Sequence, residues 1–185
     1  MVNKIARFAI VACVVFCAHV GAADAADLSV GITSNCASYG LQDSITFRVE
    51  IKNQVASPIT LYGKLGWGGL GGLTLKIAQM NGKLVQPKIL DDDMIIPSTL
   101  SSHTYYTTVF RNQFIGIYRN DRVFELFPSP GQYRVWVEYL SPVPAASSLV
   151  KRSFWSREMG KVTSNVLVLR IGQVSTCGIK GDGGN

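Results

Sequence analysis

The sequence predicts an all-β protein, an antiparallel sandwich of about seven to nine strands preceded by a signal peptide, and three observations carry that prediction. Ile45, Phe47, Val49 and Ile51 alternate with Thr46, Arg48, Glu50 and Lys52, and Tyr133, Val135, Val137 and Tyr139 alternate with Arg134, Trp136 and Glu138. Alternation of period two places one face of a strand on a core and the other in water. Further short apolar runs are separated by turn residues, and no stretch of twelve or more residues carries a capped helical stripe. The N-terminal segment stands apart from all of this in composition.

That segment opens with Lys4 and Arg7, continues as an apolar run from Phe8 to about Ala22, and ends in Ala23-Asp24-Ala25, an A-x-A cleavage pattern. Residues 1–25 therefore read as a secretory signal peptide. The run is shorter than the roughly 20 apolar residues of a membrane-spanning helix. No later stretch is as long, so the mature chain is expected to carry no stable membrane span and to reside in the periplasm or outside the cell. The sandwich domain is expected over 26–172, followed by a Gly-rich tail over 173–185. Its strands are expected at 28–33, 45–51, 59–65, 73–78, 84–90, 105–110, 123–127, 133–139 and 161–171. Asn81-Gly82 gives a hairpin signal, and Pro128-Ser129-Pro130-Gly131 a sharp reversal.

The chain has 185 residues, 47% of them hydrophobic and 16% charged, which suits one domain with a real core and excludes a disordered polymer or a collagen-like repeat. The 18 Lys and Arg against 12 Asp and Glu give a net charge of +6. A surplus of this size favours solubility and weak attraction to anionic surfaces. Basic runs interleaved with aromatics are absent, so no nucleic-acid partner is expected. Of four cysteines, Cys13 and Cys17 leave with the leader. Cys36 and Cys177 remain, and in an oxidising compartment an isolated pair is most simply a disulfide. It would close a loop of about 140 residues, for which chain entropy suggests about 4 to 5 kcal/mol.

The strand at 45–51 leading into Asn53, then Pro58, the run Leu126-Phe127-Pro128-Ser129-Pro130-Gly131-Gln132-Tyr133 and the closing strand together resemble an immunoglobulin or fibronectin type III sandwich of the kind common in exported bacterial proteins. The resemblance implies a tyrosine corner at Tyr133, its hydroxyl bonding back to the backbone across the Pro-Gly turn. It also implies a first strand lying parallel to the last, which would bring Cys36 and Cys177 to one pole. It implies little about function, because this architecture hosts adhesins, receptors, chaperones, inhibitors and enzyme appendages alike.

Catalysis finds a poor inventory. His103 is the one histidine left after the leader, among Ser101, Ser102 and Thr104, and no H-E-x-x-H, G-x-S-x-G or P-loop pattern occurs. No enzyme activity, resident metal or cofactor is expected. Asp91, Asp92 and Asp93 are either a solvated turn or oxygen ligands for calcium. In Gly66 to Gly72, Trp67 either folds back over the core or is presented as an exposed anchor. In the connection before the last strand, Arg152, Phe154, Trp155 and Arg157 have the aromatic and arginine composition of interface hot spots, or pack the connection onto the sheet. Trp136 points outward from its strand, exposed or covered by that connection. The expected role is a non-enzymatic binding or accessory domain with a protein or cell-envelope partner. One alternative is a protease inhibitor: chagasin-type inhibitors are similar in fold and in their aromatic-basic loop, here Arg152-Ser153-Phe154-Trp155, although the N-P-T-T-G loop of that family is missing. The other is a carbohydrate-binding module using Trp67 or Trp155.

Overall fold

The computed structural model describes residues 27–87, 105–145 and 154–172. Residues 1–26, Asp91, Asp92, Asp93, His103, Arg152 and Cys177 lie outside the described residues.

The strands are β1 (Leu28–Ser34), β2 (Ser38–Gly40), β3 (Ser44–Asn53), β4 (Ile59–Tyr62), β5 (Gly66–Trp67), β6 (Gly72–Gln79), β7 (Leu84–Val85), β8 (Tyr106–Val109), β9 (Phe114–Arg122), β10 (Gly131–Tyr139), β11 (Val162–Thr163) and β12 (Leu167–Gly172), with a helical turn, α1 (Val123–Leu126), and a 3-10 turn at Arg157–Met159. One sheet has the order β1-β3-β9 and the other β2-β12-β10-β6-β5, with β11 beside β10 and β7 beside β6. A separate ladder pairs β4 with β8. Strands one, three and nine thus oppose strands six, ten and twelve, the division of an immunoglobulin-like sandwich. Alternation supplies the core: Ile45, Phe47, Val49 and Ile51 from one sheet face Tyr133, Val135, Val137, Tyr139, Leu73, Ile77 and Leu169 from the other, all buried.

The first strand does not pair with the last. β1 is antiparallel to β3 throughout, and it is β2 that runs parallel to β12. The chain changes sheets at Asn35–Ala37, where local polar bonds hold the crossing. The Asn35 side-chain oxygen accepts the Thr46 amide at 2.9 Å and the Tyr39 hydroxyl at 2.8 Å, while Tyr39 Oη accepts the Cys36 amide at 2.7 Å.

Three other expected strands are redrawn. Residues 123–126 form a helical turn, because the chain must cross from the first sheet to the second here. Val123 and Leu126, three apart, turn inward, and the Phe127 amide donates to the Val123 carbonyl at 2.9 Å. The run 161–171 splits into β11 and β12 at Ser164, whose hydroxyl accepts the Val137 amide at 2.9 Å. Next to it, Asn165 bonds the Ile32 amide at 2.9 Å and the Ile32 carbonyl at 3.0 Å, so a side chain imitates a strand neighbour and ties β12 to β1. In 84–90 the strand ends at Val85, and 88–90 lie outside the described residues.

Candidate functional site: a ring and guanidinium platform on the outer sheet face

β9 was not foreseen as a strand, and it carries the most exposed aromatic pair beside a cation. Alternate residues of β9 face outward: Phe114, Gly116, Tyr118 and Asn120 lie opposite Lys52, Glu50, Arg48 and Thr46 of β3. Phe114 is 49% and Tyr118 66% exposed. Between them, the Arg48 guanidinium stands 5.7 Å from the Phe114 ring centre and 6.0 Å from that of Tyr118. Arg48 also pairs with Glu50, two residues along the same strand. Gly116 leaves the space between the rings open, and a Cβ there would sit 2.9 Å from the Val49 carbonyl oxygen. A shallow hollow of about 350 Å³ adjoins the platform, lined by Gly31, Ile32, Thr33, Arg48, Glu50 and Asn165.

The inner side of β9 fixes this face from below. Arg119 bonds Asp121 at 2.6 Å, both side chains nearly buried, and the Arg119 guanidinium lies 5.0 Å from the Trp67 ring centre. Chemically the outer face offers two apolar ring surfaces, a cation held by a carboxylate and two rings, and flanking hydroxyl and amide groups. Such a surface is suited to stacking and charge contacts.

The residues singled out from the sequence sit elsewhere. Trp67 is 3% exposed, a core residue under Arg119. Trp155 is 6% exposed, and its amide donates to the Thr60 carbonyl at 2.9 Å. The Phe154 ring meets Tyr106 edge-on at 5.4 Å. Arg157 is exposed but bonds the Pro142 carbonyl at 2.7 Å. The described part of the connection therefore packs along β4. Trp136 is half-buried on the outer face of the second sheet, a different surface from that of Phe154. The Tyr133 hydroxyl donates to the Ser129 carbonyl at 2.8 Å, and its ring lies tilted against Phe127 with centroids 4.9 Å apart. Cys36 packs partly buried against the core.

No protein-family model matches the chain, and no curated protein matches it. Among solved structures, a CARDB domain from Pyrococcus furiosus, determined in complex with di-metal ions, is 10% identical with a TM-score of 0.35, over 78% of this chain and 92% of that one. A beta-glucosidase from Listeria innocua in complex with isofagomine is 13% identical with a TM-score of 0.36, over 80% of this chain and 16% of that one. AvmM, which catalyses macrocyclization in alchivemycin A biosynthesis, is 10% identical with a TM-score of 0.40, over 82% and 92%. Scores this low carry no argument, and the fold assignment rests on the chain's own strand order.

Proposed function

We propose that this protein is an exported, non-enzymatic binding domain that docks a cell-envelope protein on the outer face of the β1-β3-β9 sheet. The observation that carries the reading is the pair of exposed rings, Phe114 and Tyr118, bracketing Arg48 on a rigid strand pair. Tyr and Arg are the residues most enriched where binding energy concentrates, and aromatic rings are enriched across interfaces. Side chains already held in place lose less entropy on docking. The leader pattern supports export, and export to an oxidising compartment in turn supports a Cys36–Cys177 disulfide; an intact mass two hydrogen atoms below that of the reduced chain is its check, and an unchanged mass rejects it. The carbohydrate alternative draws on Trp67 or Trp155, both buried, and the inhibitor alternative on Arg152-Ser153-Phe154-Trp155, of which Arg152 and Ser153 lie outside the described residues.

The test is capture from envelope extract by the wild-type domain and by the Phe114→Ala/Tyr118→Ala double variant. Both side chains are solvent-facing, so the variant keeps its melting temperature to within a few degrees. The expected result is a specific partner held by the wild type and lost by the variant. Equal capture by a folded variant would refute the assignment of this face.

A further inference from the structure

The second sheet has an outer face of different chemistry, and from it we infer a second binding site, for an acidic polysaccharide. The register places Arg170 beside Gln132, Arg134 between Val168 and Ala78, and Lys76 beside Trp136. Arg170, Arg134 and Lys76 therefore step diagonally across three adjacent strands, each about 7–8 Å from the next. Glu138 is the one carboxylate among the described strand residues of this sheet, and it is already taken by Lys161 at 2.9 Å and Lys76 at 4.0 Å. Neither Arg134 nor Arg170 meets a carboxylate among the described residues. A row of cations with so little internal compensation is complementary to a chain bearing regularly repeated anionic groups.

Trp136 decides which kind of chain. It is half-buried on this face, beside Lys76 and two residues beyond Arg134, so a ring stands at the end of the cation row. A sugar ring offers apolar C–H faces to an aromatic ring while its carboxylates reach the cations. A single-stranded nucleic acid calls for successive stacking rings along a groove, and the described residues of this face offer one ring, Trp136. A lipid surface calls for several apolar side chains that insert, whereas Trp136 stands here among cations and is half-buried. A shallow hollow of about 220 Å³ between β6 and β7, lined by Thr74, Lys76, Leu84 and Gln86, extends the face past the last cation.

Polygalacturonate serves as the probe, read by tryptophan fluorescence and calorimetry on the full mature chain. We expect binding that weakens as salt rises, with neutral dextran silent. Arg134→Gln/Arg170→Gln weakens it by about tenfold or more, and Trp136→Ala by about fivefold or more at unchanged net charge. The Phe114→Ala/Tyr118→Ala variant binds polygalacturonate as the wild type does, which separates this site from the docking face proposed above. If Trp136→Ala melts early, Lys76→Gln/Arg134→Gln makes the same test without touching the ring. The inference is overturned by absence of polygalacturonate binding, by equal or tighter binding of an oligonucleotide or of phosphatidylglycerol vesicles, or by loss through neither set of variants.

Discussion

Asn53 is wholly buried at the end of β3 and places its amide on three backbone groups. Its Nδ2 donates to the Ser57 and Val109 carbonyls, and its Oδ1 accepts the Val55 amide, each at 2.9 Å. One side chain thus closes the turn after β3 and fastens it to β8. Removing it strands buried polar groups, so Asn53→Ala is expected to cost about 2 to 4 kcal/mol, read as a lower denaturation midpoint with an unchanged slope. A loss under about 0.5 kcal/mol would contradict this role. From the sequence, Asn53 is visible only as the residue that ends an alternating strand. Its partnership with Val109 lies 56 residues away and leaves no local trace. The same holds for Asn165 and Ile32, joined across 133 residues. Tyr133 is the opposite case, since its bond spans four residues and a Pro-Gly turn that can be read directly.

At the scale of elements, β3 and β10 were legible because each buries one face and wets the other. β9 was not, although it is nine residues long. Its first five residues, Phe-Ile-Gly-Ile-Tyr, are apolar or glycine on both faces, and its inward positions then turn to Arg119 and Asp121, whose ion pair fills space that a strand normally gives to Val or Ile. Period two is therefore erased where the candidate site lies, so the site was hidden together with its strand. The glycine-rich loop was visible as composition but not as architecture. Gly66 and Trp67 form β5, and a Cβ on Gly71 would fall 2.1 Å from the Gly66 carbonyl carbon, whereas one on Gly69 meets nothing within 4 Å. Gly71→Ala should lower the melting temperature by several degrees and loosen Trp67, while Gly69→Ala should leave it unchanged. Equal effects in a thermal scan of the two variants would contradict the close packing of this loop.

For the whole molecule, the sandwich buries tyrosines whose titration reports its integrity. Burial pushes the Tyr139 phenol up to about 12, and it raises those of Tyr39, Tyr62 and Tyr106 as well. In the unfolded chain these groups ionise near 10. Above that pH the unfolded state releases protons that the folded state keeps, so stability, complete below about pH 10, falls as pH rises toward 12. The loss from Tyr139 alone reaches about 2 to 3 kcal/mol. Denaturation midpoints across that range should fall, and Tyr139→Phe should flatten the slope; an unaltered slope would show that this phenol titrates normally. At this scale the sequence was also most informative, since the two-sheet character follows from alternation and turn spacing. The sheet to which β1 and β2 belong does not follow, because the change of sheet at Asn35 depends on contacts with Thr46 and Tyr39.

Docking of a partner on the β3 and β9 face, as proposed, would cover the amides of those two strands. Amide hydrogen exchange of the domain, free and loaded with its captured envelope partner, measures this directly. The expected result is slowed exchange over 44–53 and 114–122, with 154–160 unchanged. Slowing confined to 154–160, or absent from β9, would contradict it.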